Sequence, residues 1–528
     1  MNKKFYITTP IYYVNDKPHL GHTYTTIAAD VLARYHRMIG DQTFFLTGTD
    51  EHGAKIEETA KKAKVKPQQF VDEIAAKYQF AWDELNISND NFIRTTNPKH
   101  IKAVQQALEF MYKKGDIYKG KYEGLYCKGC EQYKNEKDLV NGKCPEHKIK
   151  PEKMSEECYM FKLSKYAKDL EKKIQKDELK IRPIERKNEI LSLYKEGLKD
   201  ISFSRKKVAW GVPLPWDKAH TSYVWADAFL NYLTGIGWSG PPSDSPLPFG
   251  LAQGGRKGGE LNTPSPCEGE GWGEVCPADV HLMSKDILRV HATIWPAMLL
   301  SLELSLPKQL FVHGFFLIDG QKMSKSIGNV IAPEELVKKY GVDGTRYLLV
   351  SATTFGHDGD VGWSKFDEKY NADLANGLGN LVARVLTMIE KLQINKGTLI
   401  KSDDLKLKDE IKEYNKLFND ISIDSALFKI WEVISKCDKY ISDNKPWELI
   451  GEDNKKAGEI LYNCLESIRI ITWMLWPFIP ETSEKIWQSL GLDPSKEMEK
   501  DFDKATKWGE LNSGVQVKKC NLLFPRIT

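Results

Sequence analysis

The chain has 528 residues, with 76 Lys and Arg against 73 Asp and Glu and a formal net charge of +3. At about 150 residues per domain this length holds three or four domains, and 41% hydrophobic residues supply ample core material. A balance so close to neutral neither demands nor excludes a nucleic-acid partner, which would need a local basic face. No apolar run is long enough for a membrane helix, since "IRIITWMLWPFIP" is short and broken by prolines, so no membrane partner is expected.

The start, "MNKKFYITTPIYY", passes from a short basic stretch into a β-rich run without the apolar core of a signal peptide, and the expected localisation is cytoplasmic. Nine cysteines in a cytosolic chain favour metal ligation or free thiols over disulfides.

In chain order, "KKFYITTPIYYV" predicts a strand of aromatic and β-branched residues. "YTTIAADVLARYHRMIG" predicts a helix ending at Gly40. "QTFFLTGTDEHG" predicts a second strand closing in a polar turn. Strand, helix, strand with ligand-like residues at the strand ends is an α/β pattern, and such sheets bind ligands beyond the carboxyl ends of their strands. From Tyr122 to about Glu157 the chain turns to short Cys- and Lys-rich segments, the texture of a small inserted module. Strand and helix character resumes in "VAWGVPLPWDKAHTSYVWADAFLNYL".

Ser239–Val275 fits neither element type. It holds 9 Gly and 6 Pro in 37 residues, above the rough 25–30% that marks low-complexity chain, and is expected to be a disordered surface loop. After Val361 the chain reads as helices: Leu374, Leu378, Leu381, Val385 and Ile389 recur at helical spacing, which predicts a C-terminal α-helical bundle.

"PHLGH" places His19 and His22 around Gly21 at the first strand-to-helix junction. Imidazoles beside a helix N-terminus form an anion site, and glycine allows close approach of a base or phosphate, so the stretch suits ATP. Two ordinary surface histidines are the plain alternative. Far downstream, "DGQKMSKSIGN" carries Lys322 and Lys325 between Gly320 and Gly328. Two ammonium groups on a glycine-bounded loop can close on a polyphosphate and neutralise a leaving pyrophosphate; a solvated Lys/Ser loop is the alternative.

"YCKGCEQYKNEKDLVNGKCPEH" gives Cys127-x2-Cys130, thirteen residues, then Cys144-x2-His147. Three thiolates and an imidazole on two chelate turns suit one tetrahedral Zn²⁺, and four filled positions make it structural. Cys158 lies outside this spacing and is taken as a free thiol; Cys267 and Cys276 have no partner pattern. Asp50 in "TGTDEHG" is a candidate partner for a ligand ammonium or a plain turn aspartate. Trp225, Ala228 and Tyr232 share helical spacing, as either a binding face or a core stripe. Asn380 and Arg384 share a helix face, and Trp447 follows Pro446; an amide, a guanidinium and an indole can bond and stack on splayed bases, or serve as a polar pair and a core tryptophan.

Taken together, "HLGH" and "KMSKS" resemble the signatures of the class I aminoacyl-tRNA synthetases. The surrounding residues resemble the methionyl-tRNA synthetases of the bacterial kind with a single zinc knuckle, from Phe5 to the closing "LLFPRI" and excluding the Gly/Pro segment. The resemblance implies a Rossmann-like parallel-sheet catalytic domain in two halves, 1–115 and 206–310, the latter holding the insert at 239–275. It implies a connective domain with the zinc knuckle at 116–205, a region around the KMSKS loop at 311–365 and an all-α anticodon-binding domain at 366–528.

It implies ligation of methionine to tRNA(Met), initiator and elongator, by way of methionyl-adenylate, with ATP and Mg²⁺. His19, His22, Lys322 and Lys325 would be catalytic. Gly21 and Asp286 would join His19, His22 and Lys325 in holding ATP. Ile11, Tyr13, Asp50, Trp225, Ala228, Tyr232 and His291 would line the methionine pocket, with Tyr232 and His291 bracketing the sulfur. Asn380, Arg384 and Trp447 would read the anticodon.

Ser284 stands where the family usually has glycine, Val290 and Ile294 replace aromatics, and Cys276 replaces a tryptophan; these bear on the tightness of the pocket. With the chain closing soon after the bundle, a monomer is expected. Two competitors are a relative on the same scaffold with another amino acid, and a tRNA-binding paralogue disabled by the insert. The branched-chain enzymes fit poorly, because no large editing insert fits between the zinc module and "WGVPLP".

Overall fold

The computed structural model describes residues 3–127, 132–134, 136, 139–145, 148–206, 208–241, 277–318, 320–323, 330–391, 399–518 and 521–528. Of the Gly/Pro segment Ser239–Val275, all from Pro242 on lies outside them, as do Cys276, Cys130, His147, Lys325 and Gly328.

The chain opens with β1 (Lys4–Thr8) and β2 (Tyr12–Tyr13), then α1 (Leu20–Met38), β3 (Gln42–Asp50), α2 (Ala54–Lys62), α3 (Pro67–Glu84), β4 (Asn91–Arg94) and α4 (Pro98–Lys113). An excursion follows through β5 (Ile117–Cys127), β6 (Gln132–Lys134) and β7 (Glu152–Phe161), then α5 (Leu163–Gln175), β8 (Lys180–Arg182), α6 (Ile184–Glu196), β9 (Ile201–Ser202), β10 (Ser204–Arg205) and β11 (Thr221–Ser222). The chain returns through α7 (Val224–Ala228), α8 (Asn231–Thr234), β12 (Val280–Ser284), α9 (Leu288–Ser301) and β13 (Gln309–His313).

β1, β2, β3, β4, β8, β12 and β13 build one sheet, and all its pairings are parallel. β2 extends β1 past a Thr9–Ile11 turn and pairs with the last two residues of β3, Tyr12 with Thr49 and Tyr13 with Asp50. β12, from the far side of the excursion, pairs with β1. The two chain halves therefore meet at the centre of the sheet, and its carboxyl edge gathers residues from both.

Period-2 alternation splits each strand between two cores. Phe5, Ile7, Phe45, Val280, Leu282 and Phe311 face one, with α1 and α3. Tyr6, Leu46, Met283, Leu310 and Val312 face the other, with α4, α5 and α9. The inserted module is more regular than its Lys- and Cys-rich sequence suggests. β5 and β7 pair antiparallel from Ile117–Phe161 to Tyr126–Glu152, with Ile117, Tyr159 and Phe161 buried on one face and Cys158 and Met160 on the other.

Beyond the sheet, β14 (Phe316–Ile318), β15 (Gln321–Lys322) and β16 (Gly359–Val361) form a small sheet flanking α10 (Pro333–Ser351) and α11 (Trp363–Lys369). The bundle follows: wide π-type turns over Tyr370–Gly379, then α12 (Asn380–Lys391), α13 (Lys408–Asn419), α14 (Ile423–Asn444), α15 (Pro446–Leu449) and α16 (Asn454–Leu475), with α17 (Pro480–Ser489) behind. Leu374, Leu378, Leu381, Val385 and Ile389 are all buried, as their spacing predicts. The first core continues without a break from α1 into this bundle.

Arg346 is fully buried at the seam. It donates to Asp30 Oδ2 at 2.6 Å and to the carbonyls of Phe478 at 2.8 Å and Pro477 at 3.1 Å. Asp30 also takes Arg34 Nε at 2.8 Å and the Ser88 amide at 2.7 Å. Among the described residues, no helix is long and apolar enough to cross a membrane.

Candidate active site

His19 caps α1, and the first turn closes on itself. The Gly21 amide donates to His19 Nδ1 at 3.0 Å, and the His19 amide donates to His22 Nδ1 at 3.3 Å. The His22 amide completes a capping box on the His19 side chain. The Leu20 amide donates to the carbonyl of Ile331 at 3.2 Å, just beyond the KMSKS segment. This corrects the sequence expectation in one respect. The first-turn amides are taken by protein acceptors, so the donors at this end are imidazoles rather than backbone.

An amide can only donate, so both Nδ1 atoms accept and both ring protons sit on Nε2. The rings stack at 3.8 Å, and burial, with His19 beside it, holds the His22 imidazole well below its usual range, hence neutral. Tyr78 Oη also approaches His22 Nδ1, at 3.2 Å. The nearest atom to a side chain added at Gly21 would be His19 Cε1 at 3.0 Å, so this glycine lets the His19 ring fold over the turn.

Asp50, at the end of β3, is the register partner of Tyr13 and is buried. The turn after it is held by Glu51, which receives Arg94 Nε at 2.6 Å and Nη2 at 3.0 Å, Thr49 Oγ1 at 2.7 Å and the Thr96 hydroxyl. Trp210 Nε1 caps the Glu51 carbonyl at 2.6 Å. Ile11 packs in the Thr9–Ile11 turn against the core that Trp225 also joins.

Opposite stands an aromatic wall. Trp225 and Ala228 lie on α7 and Tyr232 on α8, so the helical spacing spans two short helices rather than one. Tyr232 Oη meets His291 Nε2 at 2.8 Å, and His291 Nδ1 meets the Ile287 carbonyl at 2.9 Å. A carbonyl only accepts, so Nδ1 carries the proton and Tyr232 donates to Nε2. Burial brings the His291 imidazole down to about 4, so it is neutral. Phe229 meets the His291 ring edge-on at 4.9 Å, Trp225 lies 6.3 Å from it, and His281 and Trp295 lie 4.2 and 5.6 Å from the Tyr232 ring. Val290 and Ile294 are buried in the same core.

Sequence reasoning missed Phe229, His281 and Trp295, and also a buried chain behind the wall. Asp227 Oδ2 meets His52 Nδ1 at 2.6 Å, Asp227 Oδ1 meets His100 Nε2 at 2.9 Å, and His100 Nδ1 meets Thr234 Oγ1 at 2.7 Å. His52 and Asp227 stand within the same stretches as Asp50 and Trp225. Lying 175 residues apart, they have no spacing signal to pair them.

At the ends of β12 and β13, the Ser284 hydroxyl bonds the exposed Asp286 carboxylate, and His313 Nε2 meets Thr25 Oγ1 at 2.7 Å. Lys322 closes the β14–β15 hairpin opposite Leu317, with Gly320 at φ 72° in its turn; Lys325 lies outside the described residues. In the inserted module, Cys127 and Cys144 are fully buried. No metal-binding group is formed among the described residues, which omit the other two members of the motif. Cys158 is buried with its sulfur 3.5 Å from that of Met160.

In the bundle, Arg384 lies over the Trp447 ring at 5.0 Å. The two share an open concavity of about 390 Å³ with Thr387, Met388 and Lys391. Trp447 is 43% exposed, which removes the core-tryptophan alternative, and Asn380 is exposed one helical turn from Arg384.

The comparisons agree with this geometry. A family model described as tRNA synthetases class I (M) matches residues 5–150, 138–241 and 265–386. The anticodon binding domain of methionyl tRNA ligase matches 396–528. A methionine–tRNA ligase of Clostridium acetobutylicum is 43% identical over 99% of this chain and 78% of its own. One of Streptomyces coelicolor is 38% identical over 99% and 97%. The Mycobacterium tuberculosis methionyl-tRNA synthetase in complex with methionyl-adenylate superposes with a TM-score of 0.89 at 34% identity, over 99% of this chain and all of that one. With a helix-capping histidine pair at the first strand-to-helix junction of a parallel sheet, a buried aromatic cluster around Tyr232 and His291 and a helical domain matched to its end, the chain belongs to the methionyl-tRNA synthetases.

Proposed function

We propose the following division of labour for a methionine–tRNA ligase that forms methionyl-adenylate from methionine and ATP and passes the methionyl group to tRNA(Met). What supports it is the His19–His22 pair capping the helix after β2 together with the buried Tyr232–His291 bond among aromatic side chains. Methionine's carboxylate is ionised at neutral pH, so attack on the α-phosphorus needs no general base. Positioning and charge stabilisation supply the catalysis.

His22, neutral with its proton on Nε2, and His19 in the same tautomer donate to the phosphates. Lys322 and Lys325 neutralise the departing pyrophosphate, and Asp286 takes the ribose. Asp50 receives the ammonium. Ile11, Tyr13, Trp225 and Ala228 line the side chain, while Tyr232 and His291 face the sulfur. Mg²⁺ arriving with ATP offsets phosphate charge.

Asn380, Arg384 and Trp447 form the anticodon platform: an exposed indole under a guanidinium can stack and bond splayed bases of initiator and elongator tRNA(Met). The buried Cys127 and Cys144 thiols suit a closed metal site, and Cys127, Cys130, Cys144 and His147 would hold one structural Zn²⁺ that ties the module together. A cytoplasmic monomer completes the reading.

Amino-acid-dependent pyrophosphate exchange, with methionine beside leucine, isoleucine, valine and cysteine, tests the pocket. Exchange with methionine alone supports it. Exchange with another of these amino acids keeps the phosphate site and overturns the pocket assignment.

A further inference from the structure

The methionine pocket proposed above draws on three separate segments: the end of β3 carrying Asp50 with the turn after it, helix α7 carrying Trp225 and Ala228, and helix α8 carrying Tyr232. One buried side chain ties all three. Asp227 is wholly inaccessible, and both its oxygens are taken by imidazoles. His52 stands two residues beyond Asp50 in the same turn, with its ring edge-on to Trp210 at 5.6 Å. His100 comes from α4, in the core behind the pocket, and its other nitrogen reaches Thr234 on α8 at 2.7 Å. Asp227 itself lies between Trp225 and Ala228 on α7.

A carboxylate carried into the core is costly unless donors are built around it, and a partner removed leaves a buried group unsatisfied. The arrangement is also directional. Asp227 accepts from His52 Nδ1–H and His100 Nε2–H, and the latter sets which His100 nitrogen faces Thr234. Burial would raise the Asp227 carboxyl, but His52 and His100 hold it at about 2, so it stays ionised.

We infer that Asp227, through His52 and His100, is the positioning residue of methionine recognition, fixing the Asp50 turn, α7 and α8 relative to one another. This rests on the pocket assignment given above. A supporting shell of this kind sets how well the touching residues fit their ligand without contacting it.

The test uses the full-length, zinc-loaded enzyme in methionine-dependent pyrophosphate exchange, with KM measured separately for methionine and ATP. Asp227→Asn keeps the volume but replaces one acceptor with a donor. It should raise the methionine KM by about tenfold or more while kcat and the ATP KM stay within about threefold. Thr234→Val leaves both Asp227 pairs intact and releases only α8; a smaller rise of about threefold in the same constant is expected. The inference is overturned if Asp227→Asn leaves the methionine KM unchanged, or if the ATP KM rises in step with it. Should that variant not fold, Thr234→Val decides, and an unchanged methionine KM is then the refutation. Asp50→Asn and Tyr232→Phe separate the two levels. If they also leave the methionine KM unchanged, the pocket assignment is wrong; if they raise it while Asp227→Asn does not, only the positioning role fails.

Discussion

Tyr232 gives its phenolic hydrogen to Nε2 of His291 at 2.8 Å, while the other nitrogen of that imidazole is spent on the Ile287 carbonyl. In the proposed site the pair would meet a thioether with a fixed set of orientations, because neither ring can turn without breaking a buried bond. Tyr232→Phe removes the donor and leaves His291 Nε2 unpaired. The methionine KM should rise by about tenfold, in line with ~1–3 kcal/mol for an unsatisfied buried group, with kcat little changed. An unaltered KM in pyrophosphate exchange would show that the pair does not face the substrate.

His22 should not titrate in the working range. Its pKa is depressed by burial and by His19, so the neutral donor form persists as pH falls through the ordinary histidine range. The prediction is that single-turnover adenylate formation shows no loss attributable to His22 between about pH 6 and 8. His22→Ala should slow adenylate formation by about 10²-fold or more, the usual cost of a lost transition-state donor. A similar loss in methionine affinity would point instead to a ground-state role.

Trp447 offers an exposed face rather than a buried one. Trp447→Ala should weaken tRNA aminoacylation by the ~1–3 kcal/mol of a lost stacking platform. Methionine-dependent pyrophosphate exchange, which needs no tRNA, should stay within about twofold. Loss of both activities together would return the residue to a structural role.

The seam node has a pH signature. Burial would raise the Asp30 carboxyl, but Arg34, Arg346 and Ser88 reverse this and hold it well below the usual carboxylate range. A depressed folded-state pKa contributes stability that is present above the unfolded value, near pH ~4, and is lost as pH falls below it. Asp30→Asn should cost about 3–5 kcal/mol at pH 7, since it strands the fully buried Arg346. The gap to wild type in urea melts should narrow below pH ~4. A gap that does not change with pH would separate Asp30 from acid sensitivity.

Much of this was legible in the chain, and what was not has a common cause. Strand, helix and bundle periodicities translate directly into buried faces, and "HLGH" falls at the strand-to-helix junction where local pattern places it, whereas the exposure of Trp447 was left open by local pattern against a core tryptophan. The Asp227 chain and the Arg346 node were invisible. Their partners lie far apart in sequence, and a lone Asp or Arg in a helix carries no mark of the neighbour that folding brings to it. The β5–β7 ladder was under-read for a related reason: Lys119 stands across from the buried Tyr159 and Glu152 across from the buried Tyr126, so charged residues on both faces mask the alternation.

Zinc loading makes a further check. Full-length protein should contain one zinc per chain by atomic emission, and Cys127→Ser or Cys144→Ser should lose it. Stoichiometric zinc retained in both variants would exclude these thiols as ligands.

The core that begins under β1 and β3 and ends among the helices of the bundle has a consequence for descent and for engineering. The bundle carries no sealed inner surface of its own on the side facing α1 and α10. A chimaera that grafts another synthetase's bundle after Ser351 would inherit a half-built interior, with Arg346 deprived of the Pro477 and Phe478 carbonyls. Substitutions at this seam are therefore constrained in pairs, and the two ends of the molecule can be expected to drift together rather than be exchanged as separate parts.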